Sequence, residues 1–270
     1  MRLRRRIWAA GIVAVAMASA MCMGQAVANQ GRTPIVIELF TSEGCSSCPP
    51  VDNWATWIDR AQPVPGAEVI VLSEHVDYWN SDGWKDPFSS SLYSERQKEY
   101  AQAIGLSGIY TPQLVVDGDD EMNLQNTAQV KHTLDRDAHL EMVPVRIESA
   151  TVTPGQPGVV TGRVAADATG QKHSGDVYLA VTMRRTLTDV LAGENDGKKL
   201  TNVDVVRALV KLGKLNKGKT FEGPFKVALW PGAETANVRV IAFVQEQGMG
   251  EVVGAAMTGP AGEEQSASIR

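Results

Sequence analysis

The stretch "IVIELFTSEGCSSCPPVDNWATWIDRAQ", residues 35–62, constrains the fold more than any other part of the chain. Residues 35–41 are a short β-branched, apolar run of the length expected for a buried parallel strand. Val51, Trp54, Ala55 and Ile58 then recur at helical spacing, and "PVPG" at 63–66 ends that pattern. Cys45 and Cys48 stand between the two, in the turn from strand to helix.

The N-terminus sets the redox context of that pair. "MRLRRR" carries four arginines and no acid, an apolar run follows, and Ala26-Val27-Ala28 offers small residues for cleavage. Residues 1–28 therefore read as a signal peptide. The rival reading is a retained anchor, because the run approaches membrane-spanning length. Met21 before Cys22 departs from a lipoprotein signal. The expectation is an exported protein, periplasmic or secreted, with no membrane association after cleavage. Without the leader, 22 basic residues face 31 acidic ones, a net charge of −9. Such a surface, lacking basic clusters, argues against nucleic acid and anionic membranes as partners.

Export leaves Cys45 and Cys48 as the two cysteines of the mature sequence. In an oxidising compartment an isolated pair ordinarily reads as a structural disulfide. Here the closed loop is only four residues long, so the bridge restricts the unfolded chain little and makes a weak staple.

Further along, "AEVIVLSEHVDYW" (67–79) reads as a second strand. A helix near 89–104 follows, with Ser89 or Ser90 as cap, Leu92, Gln97, Tyr100 and Ile104 on one face, and Gly105 closing it. "YTPQLVVDGDDEMNL" reads as a strand, a tight turn at Asp117-Gly118 and a return strand. A helix over about 126–138 turns Ala128, Val130 or Lys131, and Leu134 inward. The order β-α-β-α-β-β-α predicts parallel pairing of the first two strands and a hairpin for the last pair. From residue 143 the pattern changes to short alternating strands with Pro/Gly turns, as in "DVYLAVTM", "FKVALW", "NVRVIAFVQ" and "EVVGAAM". Only "NVDVVRALVKLG" has helix length, and its valines leave it ambiguous.

A thiol attacks as thiolate, and a helix start lowers a cysteine's pKa through its free N–H groups and dipole. That favours Cys45 as the attacking sulfur, with Cys48 near enough to resolve a mixed disulfide. Pro49 and Pro50 complicate this, since they restrict the residues before them and must lie in the first turn. His75 and Asp77 alternate onto one face near the end of the second strand. His75 could accept a thiol proton, join the cysteines around a metal, or simply fix the loop by hydrogen bonds. Glu43 could modulate proton transfer or be an ordinary exposed carboxylate. Trp79, Trp84, Tyr78 and Tyr110 line a peptide groove or pack locally. His132, His139 and His173 read as surface residues. Phosphate-binding glycine loops, nucleophile elbows and HExxH are absent from the sequence.

A CxxC between strand and helix in this arrangement resembles the thioredoxin fold. Together, "ELFTSEGCSSCPP", "HVDYWNSDGWKDPFSS", "ERQKEYA", "YTPQLVVDG", "GENDGKKL" and "VVRALVKLG" resemble an exported bacterial family of unknown function. The resemblance implies an α/β, thioredoxin-like domain at 29–142, an all-β sandwich-like domain at 143–258 and a flexible tail at 259–270. It further implies Cys45 as nucleophile, Cys48 as resolving thiol, and Thr111-Pro112 as a cis-proline site facing the pair. Glu43-Gly44 stands where an aromatic would precede the motif in that fold. Three functions remain in competition. They are a thiol-disulfide oxidoreductase acting on protein thiols or disulfides without a cofactor, a soft-metal carrier using Cys45, Cys48 and His75, and a silent interaction module with a permanent disulfide.

Overall fold

β-Branched and apolar residues dominate the segments that pair, and the computed structural model describes them over residues 31–258. The expected signal peptide, Cys22 and the expected tail at 259–270 lie outside the described residues. The first half contains β1 (Thr33–Thr41), α1 (Pro49–Ala61), β2 (Ala67–His75), α2 (Ser91–Ala103), β3 (Gln113–Val116), β4 (Asp120–Met122) and α3 (Thr127–Asp137). The second contains β5 (Val145–Thr153), β6 (Val159–Asp167), β7 (Gly175–Asp189), β8 (Lys199–Leu215), β9 (Thr220–Ala228), β10 (Val238–Gln245) and β11 (Val252–Thr258).

Local expectations held where local chemistry decides. β1 and β2 pair in parallel, with Thr41 opposite His75 at their carboxyl ends. β3 and β4 form the antiparallel hairpin, and Asp117 and Gly118 both take positive φ, 43° and 82°, in its turn. A side chain at Gly118 would also strike the Gly250 carbonyl, so both backbone and space require glycine. The Ser90 side chain accepts from the Leu92 N–H and caps α2. Gln97 and Tyr100 are buried as expected, but Leu92 is exposed, and Tyr93 and Arg96 are buried as well. In α3, Leu134 is buried but Ala128 is exposed.

The expected fold class is overturned at the level of the sheets. One eight-stranded mixed sheet runs β11-β10-β7-β8-β2-β1-β3-β4, taking strands from both halves of the sequence, and β5-β6-β9 form a second sheet. The molecule is therefore mostly β and is not a thioredoxin-like domain followed by a separate sandwich. The joint is β8, which lies parallel to β2 with Val205 opposite Ser73. β8 is the ambiguous "NVDVVRALVKLG" segment. Its valines settle as a 17-residue strand because β7 hydrogen-bonds along its length and the free edge of β2 accepts its other side. No local pattern announces that edge, since its partner lies more than 100 residues away in sequence.

Apolar burial follows the two-sheet plan. Ile35, Ile37, Leu39, Ala55, Ile58, Val69 and Val71 pack between the large sheet, α1 and α3. Val160, Val164, Val177, Leu179, Val240 and Val244 fill the space between the two sheets. Arg239 of β10 bonds Asp59 of α1 at 2.9 Å and also Asp204 of β8, fastening the helix after the cysteines to strands of the second half.

Candidate functional site

Cys45 and Cys48 form a disulfide with Cα atoms 5.5 Å apart. Both are fully buried, beneath the exposed Ser46 and Ser47. Cys48 is the N-cap of α1, and Pro49 and Pro50 occupy the first helical positions. Pro fits there because its missing N–H has no intrahelical partner to lose. Gly44 before the pair is held against Trp79, whose Cβ would lie 3.2 Å from an added methyl.

Thr111–Pro112 is a cis peptide, as is Gln156–Pro157. The Thr111 carbonyl lies 3.8 Å from Cys45 Sγ and accepts from the Ser47 hydroxyl at 3.4 Å. Trp79 Nε1 donates to Thr111 Oγ1 at 2.7 Å, so Trp79 positions this backbone. Thr111 and Pro112 are thus brought to the cysteines, as expected from the sequence.

A ring of buried polar groups closes beneath the disulfide. Asp52 lies one helical turn after Cys48, and its N–H donates to the Cys48 carbonyl at 3.1 Å. Helical Cβ atoms tilt toward the N-terminus, so the Asp52 side chain lies back toward Cys48. Its Oδ1 accepts from Thr41 Oγ1 at 2.8 Å, and Thr41 is the register partner of His75. His75 Nδ1 pairs with Asp86 Oδ2 at 2.7 Å, and that oxygen also accepts from the Glu43 N–H at 2.8 Å. Desolvation pushes Asp52 up to about 7, against the charge of His75 and the Thr41 hydrogen bond. Burial alone would lower His75, but the Asp86 carboxylate and its hydrogen bond outweigh it and hold the imidazole above its usual value. Burial and the nearby Asp86 raise Glu43. His75 Nε2 and Glu43 Oε1 are buried with no hydrogen-bond partner among the described residues. Asp52 also lines a cavity of about 330 Å³ with Pro49, Asn53 and Lys198–Thr201.

Other expected site residues fall elsewhere. Asp77 follows the end of β2 rather than continuing it, and its carboxylate accepts from Ser94 of α2 at 2.6 Å. The alternation that would have aligned it with His75 stops where strand pairing stops. Glu43 is 1% exposed rather than a solvent-facing carboxylate, because Trp84 Nε1 donates to it at 3.0 Å and folds the 80s loop over it. Cys45 and Cys48 do not gather a metal set with His75. The imidazole Nδ1 is committed to Asp86, and no group of three or more metal-ligating side chains occurs among the described residues. Tyr110 is half exposed and bonds Glu121, and Tyr78 bonds Gln97.

Sequence reasoning missed Asp52, Asp86, Glu194 and Asn195. The last two lie in the β7–β8 connection, which forms a short 3₁₀ turn at Gly193–Asn195 and reaches over the cysteine turn. Asn195 is fully buried and donates to the carbonyls of Glu43 at 2.8 Å and Cys45 at 2.9 Å. Glu194 Oε2 accepts from the Ser46 N–H at 3.0 Å. Gly193, at φ 74°, is closed in by the Asp82 carbonyl and Trp84. The segment "GENDGKKL" was visible as part of a family pattern, but nothing local tied it to the cysteines.

These features define a mostly β, two-sheet protein whose disulfide-bonded CxxC turn, between a buried strand and a helix, is clasped by a distant hairpin arm. The chain belongs to the family described as "Protein of unknown function (DUF1223)", which matches residues 36–245. Among solved structures it resembles protein AGR_C_4864 from Agrobacterium tumefaciens, with 27% identity and a TM-score of 0.66 over 87% of this chain and 97% of that one. A weaker likeness, TM-score 0.30 at 14% identity, covers 44% of this chain and 49% of the sporulation control protein Spo0M from Bacillus subtilis. No curated protein matches the chain.

Proposed function

We propose that this chain is an exported thiol-disulfide oxidoreductase whose working groups are Cys45 and Cys48 and whose substrates are protein thiols or disulfides. The observation that carries the reading is a disulfide-bonded pair at a strand-to-helix turn, with the Thr111 carbonyl 3.8 Å from Cys45 Sγ. A four-residue staple contributes little to stability, whereas a pair at that spacing exchanges readily.

In the reducing direction, the Cys45 thiolate attacks a substrate disulfide. A mixed disulfide forms, and one substrate sulfur leaves as thiolate and is protonated. Cys48 gives up its proton and attacks Cys45 Sγ, releasing the second substrate thiol and closing the protein disulfide. Two electrons and two protons pass to the substrate. Asp52, with a pKa of about 7 one turn from Cys48, has the position and basicity to exchange protons with it, and the adjacent cavity gives a path to solvent.

Complete burial of both cysteines favours the second reading, a permanent disulfide in an interaction module. Insulin reduction driven by dithiothreitol decides between them. Acceleration by the wild type, lost in Cys45→Ser, supports exchange. No acceleration, with a bridge that resists millimolar thiol, supports the permanent disulfide. Export is checked by N-terminal sequencing of the mature protein, with Asn29 the expected first residue.

A further inference from the structure

The Glu194 arm bears on the direction of electron flow, an inference that rests on the exchange chemistry proposed above. A thiolate at a helix start is stabilised chiefly by unpaired N–H groups of the first turn and the loop before it. In this chain those donors are nearly spent. Pro49 and Pro50 have none. The N–H groups of Val51 and Asp52 turn to the Cys48 carbonyl at 2.9 and 3.1 Å, and those of Cys45 and Cys48 turn to Ser42 and Cys45 at 3.1 and 3.3 Å. The Ser46 N–H is next along the loop, and Glu194 occupies it.

The groups around the sulfur add to this. The Thr111 carbonyl, 3.8 Å from Cys45 Sγ, can accept from a thiol and repels a thiolate. Glu43 and Asp86 from the loops and Asp52 from α1 contribute carboxyl groups around the turn, while His75 of β2 is paired with Asp86. Lys198 of the arm donates to Asn195 Oδ1 at 2.8 Å, and its charge also favours the ionised form of Glu194. The arm itself is fixed: buried Asn195 pins two carbonyls of the cysteine turn, and Gly193 backs onto Trp84. Exposed Glu194 is therefore held in place by a buried neighbour.

We propose that Glu194 is a positioning residue that acts through the Ser46 N–H to disfavour the Cys45 thiolate, stabilise the disulfide over the dithiol, and make the reduced pair an electron donor to substrate disulfides. The pair is then returned to the dithiol by an upstream protein dithiol, which is oxidised in turn. A carboxylate placed on the donor that a thiolate would use raises the free energy of the thiolate. A dithiol whose thiolate is unfavourable gives up its electrons more readily.

Glu194→Gln tests this, since it keeps the shape and an acceptor for Ser46 while removing the charge. The first readout is the pH midpoint of Cys45 alkylation by iodoacetamide in a Cys48→Ser background. The second is the dithiol–disulfide equilibrium of the full pair in glutathione buffers. The expected result is a lower alkylation midpoint and an equilibrium shifted toward dithiol by about two- to fivefold, the size of a charge effect at an exposed helix end. Both shifts shrink in 1 M salt. Glu222→Gln, on the second sheet, leaves both unchanged. An unchanged or raised midpoint in Glu194→Gln overturns the proposal. A wild type that fails to reduce insulin rejects the oxidoreductase reading, while the alkylation midpoint still reports on Glu194 by itself.

Discussion

Two buried charge clusters take consecutive residues of β2, Glu74 and His75, whose side chains alternate to opposite faces of the sheet, and they are built on different principles. Under α2, Arg96 makes bidentate contact with Glu38, at 2.5 and 2.8 Å, and bonds Tyr100 and Gln245 at 2.9 and 3.0 Å. Burial alone would raise Glu38, but Arg96 outweighs it and holds the carboxylate below its usual range. Glu74, buried beside them, is pushed well above its usual range by burial and by the Glu38 charge. One cation thus faces two carboxyls whose pKa values are pushed in opposite directions. Beneath the cysteines, Asp52, His75, Asp86 and Glu43 share no arginine; His75 Nε2 and Glu43 Oε1 lack hydrogen-bond partners among the described residues, as do both oxygens of Glu74 in the first cluster. The first cluster is an arginine-centred ion network that fastens α2 to the sheet. The second holds groups that can change protonation near neutral pH. Placement beside the disulfide, rather than burial as such, is what makes it a candidate for chemistry.

Breaking the Arg96 network should have the largest effect. Arg96→Met leaves Glu38 buried without its cation, and a loss of about 3–5 kcal/mol in urea unfolding is expected. That loss should be smaller at pH 5 than at pH 8, because without Arg96 burial raises Glu38 and the lower pH supplies the proton that relieves the buried charge. A loss under about 1 kcal/mol would place the two clusters in the same class.

Asp52→Asn should differ in kind as well as size. The folded-state pKa is raised to about 7, so the folded protein holds a proton that the unfolded chain releases near pH 4. The wild type therefore loses stability on this group's account as pH rises from about 4 to about 7. The loss is of order 2–4 kcal/mol for a three-unit shift, at about 1.4 kcal/mol per unit. The Asn variant should flatten that slope and be the more stable protein at pH 8. Unfolding curves at pH 4.5 and 8 check this, and equal slopes would remove Asp52 from the titrating cluster. In the same cluster His75 has a raised pKa, so its contribution is complete below about 6.5 and fades as pH rises through the folded value.

Trp84→Phe should have the smallest effect. It removes the 3.0 Å hydrogen bond to Glu43 while keeping most of the ring, and about 1 kcal/mol is expected. A shift in the pH dependence of insulin reduction would tie Glu43 to the pair. A stability change alone would confine it to holding the 80s loop.

Legibility followed sequence distance. The turn at Asp117-Gly118, the Ser90 cap and the parallel β1–β2 pair each follow from residues within one supersecondary unit. Leu92 was misplaced because the inward face of α2 includes Arg96, whose burial depends on Glu38 of a distant strand. Asp77 was misplaced because strand periodicity says nothing about where pairing stops. Asp52 could have been read from "CPPVDNW", where a carboxylate one turn after Cys48 interrupts an otherwise apolar face. Asn195 and Glu194 could not, since 150 and 148 residues separate them from Cys45 and Ser46.

By itself the sequence determined the groups available at one turn: two cysteines spaced to form a bridge, two prolines that remove helix donors, and a Thr-Pro step to face them. Those depend on covalent structure and short-range backbone geometry, which residues carry with them. Only the tertiary structure decided that β8 completes the sheet at β2, that one cluster is built on an arginine and the other is not, and that Glu194 takes the Ser46 N–H. Those outcomes depend on which distant groups share a desolvated space, and that is fixed when the two halves of the chain pack as one sheet.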